Sequence, residues 1–283
     1  MGYFWGFWGV LVFSLTLPMT RLTAGHLDPM FVGIGRAAVA GILGVIALIA
    51  TRSPFPPWRT VLRLALVAIG LIGFGVFTSF AMQRLPSSHG AVVIGLLPLA
   101  TAVAGSFLAK ERHRPLFWVS SILGSVCVVF YALAKGGWFL GGNDLYLFVA
   151  VVMAAGGYAE GGRLSRELGG WRVISLALVL VLPFTLPWSL LLFRPADLGA
   201  PLPAWFGFLY VGVLSQFLGF FAWYHGLAKN GIGKVGQLQL LQPFLTIAFG
   251  ALFLSEVLDP ITVAVAFLVV LFVFLGRWDG LKK

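Results

Sequence analysis

Charged residues are scarce in this sequence of 283 residues. Asp, Glu, Lys and Arg make up only 10% of it, whereas 60% is hydrophobic and the mean hydropathy is +0.99. A soluble domain of this length carries about 25% charged residues. Ten per cent is too little to cover a water-exposed surface, so lipid must be the main solvent and a membrane protein is predicted.

Cysteine and catalytic motifs are scarce as well. The single cysteine, Cys127, lies inside an apolar run, which excludes a disulfide framework and a cysteine-based metal site. The sequence contains no Walker-type loop, no HExxH, no paired intramembrane carboxylates and no Ser/His/Asp set. These absences argue against a nucleotide-driven pump and an intramembrane enzyme, and no catalytic residue, metal or cofactor is expected.

The apolar runs have the length of transmembrane helices. They stay apolar for about twenty residues, whereas the strands of a membrane barrel would alternate apolar and polar positions. The predicted spans, numbered 1 to 10, are roughly 3–22, 29–51, 61–82, 88–109, 115–134, 144–162, 172–193, 203–226, 233–254 and 259–276. The connecting loops are too short for a soluble domain, so residues 1–283 form one all-α membrane domain.

The basic residues, which give a net charge of +10, are distributed unevenly between the two sides. With ten spans, fourteen Lys and Arg fall on the side of the N-terminus and four on the other, while Arg36 lies inside a span. Basic loops stay in the cytoplasm, so both termini are predicted to be cytoplasmic. Because these charges sit in short loops between apolar runs, lipid is the expected partner and nucleic acid is not.

One stretch of the sequence occurs twice. LLPLATAVAGSFLAKERHRP at Leu96–Pro115 is matched, 145 residues later, by LQPFLTIAFGALFLSEVLDP at Leu241–Pro260. Because the offset is five spans, an odd number, the second half must cross the membrane in the opposite sense. The predicted architecture is a five-plus-five inverted-topology repeat, with spans 1–5 in residues 1–134 and spans 6–10 in residues 144–276. The identical pairs are Leu96/Leu241, Pro98/Pro243, Thr101/Thr246, Gly105/Gly250, Glu111/Glu256 and Pro115/Pro260.

These motifs resemble the EamA-type branch of the drug/metabolite transporter (DMT) superfamily, and the chain is similar to its aromatic amino acid exporters. The family's fourth helix has a central proline and a terminal glutamate, as both copies have here. Its second helix opens with a proline and carries an arginine seven residues on, matched by Pro29 and Arg36. The second half departs from this pattern around Gly170–Leu178. The resemblance implies a multi-pass carrier of the bacterial inner (cytoplasmic) membrane, commonly an exporter of amino acids or other small metabolites.

Arg36 is the leading candidate for substrate binding. It lies seven residues after Pro29, about 10 Å along the helix axis. An arginine at such depth costs at least ~2.5 kcal/mol unless it is paired or hydrated. We therefore expect Arg36 to face a central cavity and attract a carboxylate or another anionic group. The alternative is that it snorkels to the surface or caps a neighbouring helix end.

Span 9 and the repeated prolines supply further candidates. Gln239 and Gln242 are three residues apart, on one helical face, where neutral amides suit a polar or zwitterionic substrate. Their alternative role is hydrogen bonding between helices. Pro98 and Pro243 lie near the middle of spans 4 and 9, and each removes a helical hydrogen bond. We expect these prolines to act as hinges for gating.

Spans 3, 6 and 8 contain the remaining substrate-binding candidates. Gln216, Phe220 and Trp223 recur at i, i+4 and i+7, on one face of span 8. Thr78 in span 3 and Tyr158 in span 6 are predicted to join them around an aromatic-lined cavity. Plain packing is the alternative for the aromatic residues.

A few other polar residues have simpler interpretations. Glu160, near the cytoplasmic end of span 6, is expected to pair with Arg163, with proton coupling as the alternative. His89 lies near a span end, where a solvated or interfacial position is expected. Glu111 and Glu256 are expected to latch the ends of spans 4 and 9.

The hypothesis from sequence is a secondary transporter, with export the expected direction, for small organic metabolites such as amino acids. It would work by alternating access around a midplane cavity. Its partners would be a small-molecule substrate and membrane lipid, and it would act as a monomer or homodimer. A non-transporting scaffold subunit and, as a weaker alternative, an intramembrane lipid-modifying enzyme stay open.

Overall fold

A computed structural model describes residues 2–109, 115–135, 141–230 and 237–278, and this part of the chain contains helices and no strand. The α-helices are α1 (Gly2–Ser14), α2 (Thr16–Thr23), α3 (Pro29–Ala50), α4 (Trp58–Met82), α5 (Ser87–Ile94), α6 (Leu97–Ala109), α7 (Pro115–Lys135), α8 (Gly142–Leu168), α9 (Gly170–Leu192), α10 (Leu202–Leu209), α11 (Gly219–Asn230), α12 (Gln242–Leu254) and α13 (Pro260–Trp278). Short 3-10 helices occupy Pro195–Gly199 and Gln237–Leu241, and a π-helix occupies Tyr210–Leu218.

Eight helical stretches are long and apolar enough to cross a membrane. They run from Gly2–Thr23 for span 1 to Leu202–Gly226 for span 8. Two shorter apolar helices, Leu238–Leu254 and Pro260–Leu275, correspond to spans 9 and 10. Residues 233–236, which begin the predicted span 9, and Glu111 lie outside the described residues. The prediction of an all-helical, multi-pass membrane protein is confirmed, while the number of ten spans and their orientation stay predictions.

Local sequence explains where the helix of span 2 begins. The side chain of Asp28 caps α3 by accepting hydrogen bonds from the backbone N–H groups of Met30 and Phe31, at 2.8 and 3.2 Å. Pro29 takes the first helical position, where the missing N–H would be unpaired in any case. This start places Arg36 seven residues after the first residue of α3.

Spans 4 and 9 are both interrupted just before their repeated prolines. In span 4, α5 ends at Ile94 and α6 begins at Leu97, so Pro98 is the second residue of α6. In span 9, the 3-10 helix Gln237–Leu241 precedes α12, and Pro243 is its second residue. A proline there removes no hydrogen bond within its own helix. Each span is therefore two segments, rather than the one kinked helix predicted from the sequence.

Spans 1 and 8 are also irregular near their middles. Span 1 has a turn at Leu15 between α1 and α2. Span 8 changes from α-helix to π-helix over Tyr210–Leu218 before it continues as α11. π-Helical turns are rare and occur often at functional sites.

The bundle is held together by close pairing of helices. The most extensive contacts join α4 with α8, α3 with α9, α1 with α11 and α7 with α13. Glycines make the first of these possible: a Cβ atom on Gly70 would lie 2.6 Å from the carbonyl oxygen of Met153 and 2.9 Å from the Cα atom of Gly157. Small residues that let backbones approach are the usual basis of helix packing in membranes.

Ion pairs join the spans at both ends of the bundle. At the predicted cytoplasmic end, the Arg63 guanidinium of α4 donates to Glu160 and Glu167 of α8. Arg163 also donates to Glu160, at 3.2 Å, so the predicted i, i+3 pair is present. At the other end, Lys135 is paired with Asp259. Glu160 therefore joins α4 to α8 and has two arginines as partners.

The contact between α4 and α8 gives a test of this packing. Gly70→Ala is expected to lower the melting temperature of the detergent-purified protein by several degrees, since overpacking costs about 1–3 kcal/mol. Gly156→Ala is the matched control, because no heavy atom lies within 4 Å of a Cβ atom there. Equal melting temperatures for the two variants in a thermal unfolding assay would contradict the packing described.

Candidate functional site

A small cavity lies among the irregular spans. Its volume is about 20 Å³, which is room for roughly one water molecule. Four of the seven predicted substrate-binding residues line it, namely Arg36, Tyr158, Gln216 and Gln242. The other lining residues are Phe13, Thr16, Gly70, Leu71, Phe74, Leu97, Ser215 and Phe220. Because it is so small, the cavity has no room for an organic solute in this conformation.

Arg36 is the residue of this cavity with the largest unmet demand for partners. It is only 1% exposed, which rules out snorkelling to the surface. Its Nη2 atom donates to the Ser215 hydroxyl over a long 3.4 Å, while Nε and Nη1 find no partner in the described part of the chain. None of the ion pairs among the described residues includes Arg36. A buried cation without a counter-ion is costly.

Two glycines, one of them in the π-helix, lie against Arg36. A Cβ atom on Gly75 would lie 3.1 Å from the Cδ atom of Arg36, and one on Gly212 would lie 3.6 Å from its Cα atom. These two glycines let the arginine fit between α4 and span 8. Ser215, the hydrogen-bond partner of Arg36 among the described residues, shares a 2.8 Å hydroxyl contact with Thr16 at the start of α2. The side chain of Arg36, on span 2, therefore lies among spans 1, 3 and 8.

The amide side chains add neutral polar groups. Gln216 and Gln239 are 1% and 5% exposed, and the Nε2 atom of each has no partner among the described residues. Gln242 lines the Arg36 cavity and also a second cavity of about 10 Å³, which Gln239, Pro98 and Pro243 line as well. Both predicted hinge prolines thus lie next to the site.

Two predicted residues lie outside these cavities. The Thr78 hydroxyl donates to the carbonyl oxygens of Phe74 and Gly75, at 2.6 and 3.2 Å, and so satisfies its own helix. Trp223 is buried beside Phe13, with ring centroids 6.3 Å apart, and packs against Gly9. In this conformation Trp223 belongs to the core and Thr78 to the α4 backbone.

Sequence reasoning missed several residues that line the Arg36 cavity. Thr16 and Ser215 are small hydroxyl residues in otherwise apolar spans, and nothing local distinguishes them from back-bonding ones. Phe13 and Phe74 look like packing residues because aromatic side chains are common in this chain. One signal was available for Ser215. It directly precedes Gln216, so the two residues lie at nearly the same depth in span 8.

A family comparison and two curated relatives agree on the class of protein. Residues 1–133 and 142–277 match the model of the EamA-like transporter family. The uncharacterized transporter YdeK of Bacillus subtilis is 45% identical over 278 residues, covering 98% of this chain and 96% of YdeK. The uncharacterized inner membrane transporter YedA of Escherichia coli K12 is 26% identical over 216 residues, 73% of this chain and 67% of YedA.

A solved crystal structure has the same fold. It superposes with a TM-score of 0.66 over 97% of both chains, at 20% sequence identity. At that identity the likeness shows the fold alone.

The free-energy cost of burying Arg36 can be measured through the melting temperature of the protein. Arg36→Met is expected to maintain or raise the melting temperature, because it removes a buried cation whose insertion costs about 2.5–3.5 kcal/mol. Arg63→Met is the comparison and is expected to lower it, since Glu160 is buried and loses a partner. A fall of several degrees for Arg36→Met in thermal unfolding would mean that Arg36 serves the fold.

Proposed function

Because the chain belongs to the EamA-like transporter family, we propose that it is a secondary transporter for small organic metabolites that carry a carboxylate, such as amino acids. The observation that supports this most directly is the buried Arg36, whose Nε and Nη1 atoms have no partner among the described residues. A guanidinium group presents parallel N–H donors that match a carboxylate. A bound carboxylate would supply both the missing charge and the missing acceptors.

The rest of the cavity favours a solute with a polar head and an apolar part. Tyr158, Gln216 and Gln242 offer neutral donors and acceptors, which suit the amino group of a zwitterion. Phe13, Phe74 and Phe220 line the same cavity and would contact an apolar side chain. Amino acids with apolar or aromatic side chains combine these features. Export is the proposed direction, in keeping with the resemblance to exporters.

The proposed architecture has ten spans in two inverted halves, residues 1–134 and 144–276, with both termini in the cytoplasm of a bacterial cell. The helix contacts support it. A shift of five spans converts the contact of spans 3 and 6 into that of spans 8 and 1, and both are extensive. The same shift only exchanges the two members of the pairs 2 and 7, 4 and 9, and 5 and 10, and the spans of each pair are in contact. The separate family matches to the two halves agree with this division.

The proposed mechanism is alternating access. The Arg36 cavity of about 20 Å³ cannot hold an amino acid, so the surrounding spans must separate for a solute to enter. Pro98 and Pro243 stand at the breaks in spans 4 and 9, next to the cavity, and provide places where those spans can bend. A scaffold subunit would have no use for the groups of Arg36, Gln216 and Gln239 that lack a partner in the described part of the chain.

Counterflow into proteoliposomes tests the substrate class. We expect saturable counterflow of one or more amino acids from a radiolabelled panel. The amine that lacks the carboxylate should be transported at least about 10- to 100-fold less well, the loss expected for a hydrogen-bonded charge. Arg36→Met should abolish counterflow, and Arg36→Lys should retain part of it.

The control for this experiment is Arg59→Met, which removes an exposed arginine of α4. It should transport like the unmodified protein. Full counterflow by Arg36→Met, or equal transport of the amine, would refute carboxylate recognition by Arg36.

The proline hinges are tested by separating rate from affinity. Pro98→Ala and Pro243→Ala restore a backbone N–H and allow a continuous helix, so the bending step should slow. We expect the maximal counterflow rate to fall roughly tenfold, about 1.4 kcal/mol in activation free energy, with little change in the half-saturating concentration. Pro183→Ala is the control, because that proline lies inside α9 on an exposed face. Unchanged rates in both hinge variants would contradict the gating role.

A further inference from the structure

Helix α5, the first half of span 4, begins without a cap of its own. The residue before it is Pro86, which has no side-chain oxygen to accept the first free N–H groups. Instead, the Glu256 carboxylate accepts them: Oε1 lies 2.7 Å from the Ser87 nitrogen and Oε2 lies 2.9 Å from the Ser88 nitrogen. The cap therefore comes from the connection between α12 and α13, in the other half of the chain. A carboxylate at a helix N-terminus is also favoured by the helix dipole.

The backbone around Glu256 is shaped for this contact. Ser255 has φ 54°, in the left-handed region that residues other than glycine seldom adopt, and it turns the chain at the end of α12. At Gly250 a Cβ atom would lie 2.5 Å from the Ser87 hydroxyl and 2.9 Å from Oε2 of Glu256. A glycine at position 250 therefore leaves the space in which Glu256 meets Ser87.

A second carboxylate holds the same short helix. Asp144, at the start of α8, lies 2.7 Å from Nε2 of His89, and both side chains are buried. The His89 ring also contacts Tyr131, with centroids 5.0 Å apart. His89 is buried rather than solvated as expected, because a carboxylate 55 residues away in sequence draws it into the protein. An interfacial position for His89 stays a prediction.

Lys135 does not compete for Glu256. It is paired with Asp259, whose carboxylate also accepts from Thr262. The Glu256 carboxylate therefore contacts the N-terminus of α5, while Lys135 contacts Asp259.

Helix α5 lies between a large recess and the two small cavities. On one side is a recess of about 460 Å³, lined by Ser88, His89, Tyr131, Lys135, Asp144 and Glu256 among others. On the other side, Ala91, Ile94 and Gly95 line the 10 Å³ cavity, which shares Leu97 and Gln242 with the Arg36 cavity. The break between α5 and α6 makes α5 a separate segment.

We propose that α5 is the gate at the predicted outer end of the protein and that Glu256, with Asp144, is the latch that holds it closed. Loss of the two hydrogen bonds to Glu256 frees the N-terminus of α5 to move into the recess and opens a route to the Arg36 cavity. The role as a gate rests on the proposed function, whereas the latch contacts are independent of any substrate. Glu256 is a positioning residue: it acts on the helix that covers the site.

The test measures how quickly a buried thiol is reached from one side of the membrane. The parent carries Cys127→Ser and Ile94→Cys, since Ile94 is 5% exposed on the inner side of α5. A membrane-impermeant maleimide is added to right-side-out membrane vesicles. Adding Glu256→Gln should raise the labelling rate at position 94 at least about tenfold, as expected for loss of a charge-assisted hydrogen bond. Gly250→Ala, which crowds the latch without removing the carboxylate, should raise it as well.

Glu167→Gln is the matched control, since it neutralises an ion-paired glutamate at the opposite end of the bundle. It should leave the rate unchanged. Gel filtration should first show that both latch variants are folded. Labelling rates within about twofold of the parent in both of them would then overturn the proposal. So would an equal increase in Glu167→Gln or one seen only in inside-out vesicles. Labelling needs no solute, so the latch could be confirmed even if no carboxylate were transported. Conversely, normal counterflow with unchanged labelling would refute the latch and leave the proposed function intact.

Discussion

Backbone hydrogen bonding in lipid is the constraint on which the rest of this structure depends. No water is present in the bilayer core to satisfy a free N–H or C=O group, so a span is ordinarily one unbroken helix. Spans 1, 4, 8 and 9 break this rule near their middles. Irregular backbone at that depth is tolerated where it faces protein or a polar cavity, and residues from all four spans line the Arg36 cavity. The breaks therefore mark where the bundle does more than cross the membrane.

Burial of the Arg36 cation at this site costs electrostatic free energy. A hydrophobic residue of similar volume at position 36 would remove a buried cation, yet the fold surrounds this one with hydroxyl and amide groups that solvate it only in part. Other buried acidic residues that the structure describes have partners: Glu160 pairs with two arginines, Asp144 with His89, and Asp197 accepts a hydrogen bond from the backbone N–H of Arg194. This contrast sets Arg36 apart and leads to a ligand that brings its own negative charge.

The sequence was sufficient for features that depend on composition or on nearby residues. Continuous apolar runs predicted the helices, the proline repeat located the interruptions of spans 4 and 9, and depth alone singled out Arg36. It was insufficient where the outcome depends on which helices become neighbours. Periodicity put Trp223 on a face of span 8 with Gln216, but the packing of α1 turned that part of the face into core. Nothing local connects His89 to Asp144, or Glu256 to Ser87 across 169 residues.

Span 9 connects the site to the proposed gate. Gln242 and Pro243 open α12 beside the cavity, and the same helix ends two residues before Glu256, which caps α5. A movement of α12 at its proline end would also displace Glu256 from Ser87. A solute can bias such a movement only by binding the closed and open forms with different affinity. Arg36 and Gln242 come from different spans, so one bound carboxylate that contacts both would favour a particular spacing of spans 2 and 9, and through α12 the state of the latch.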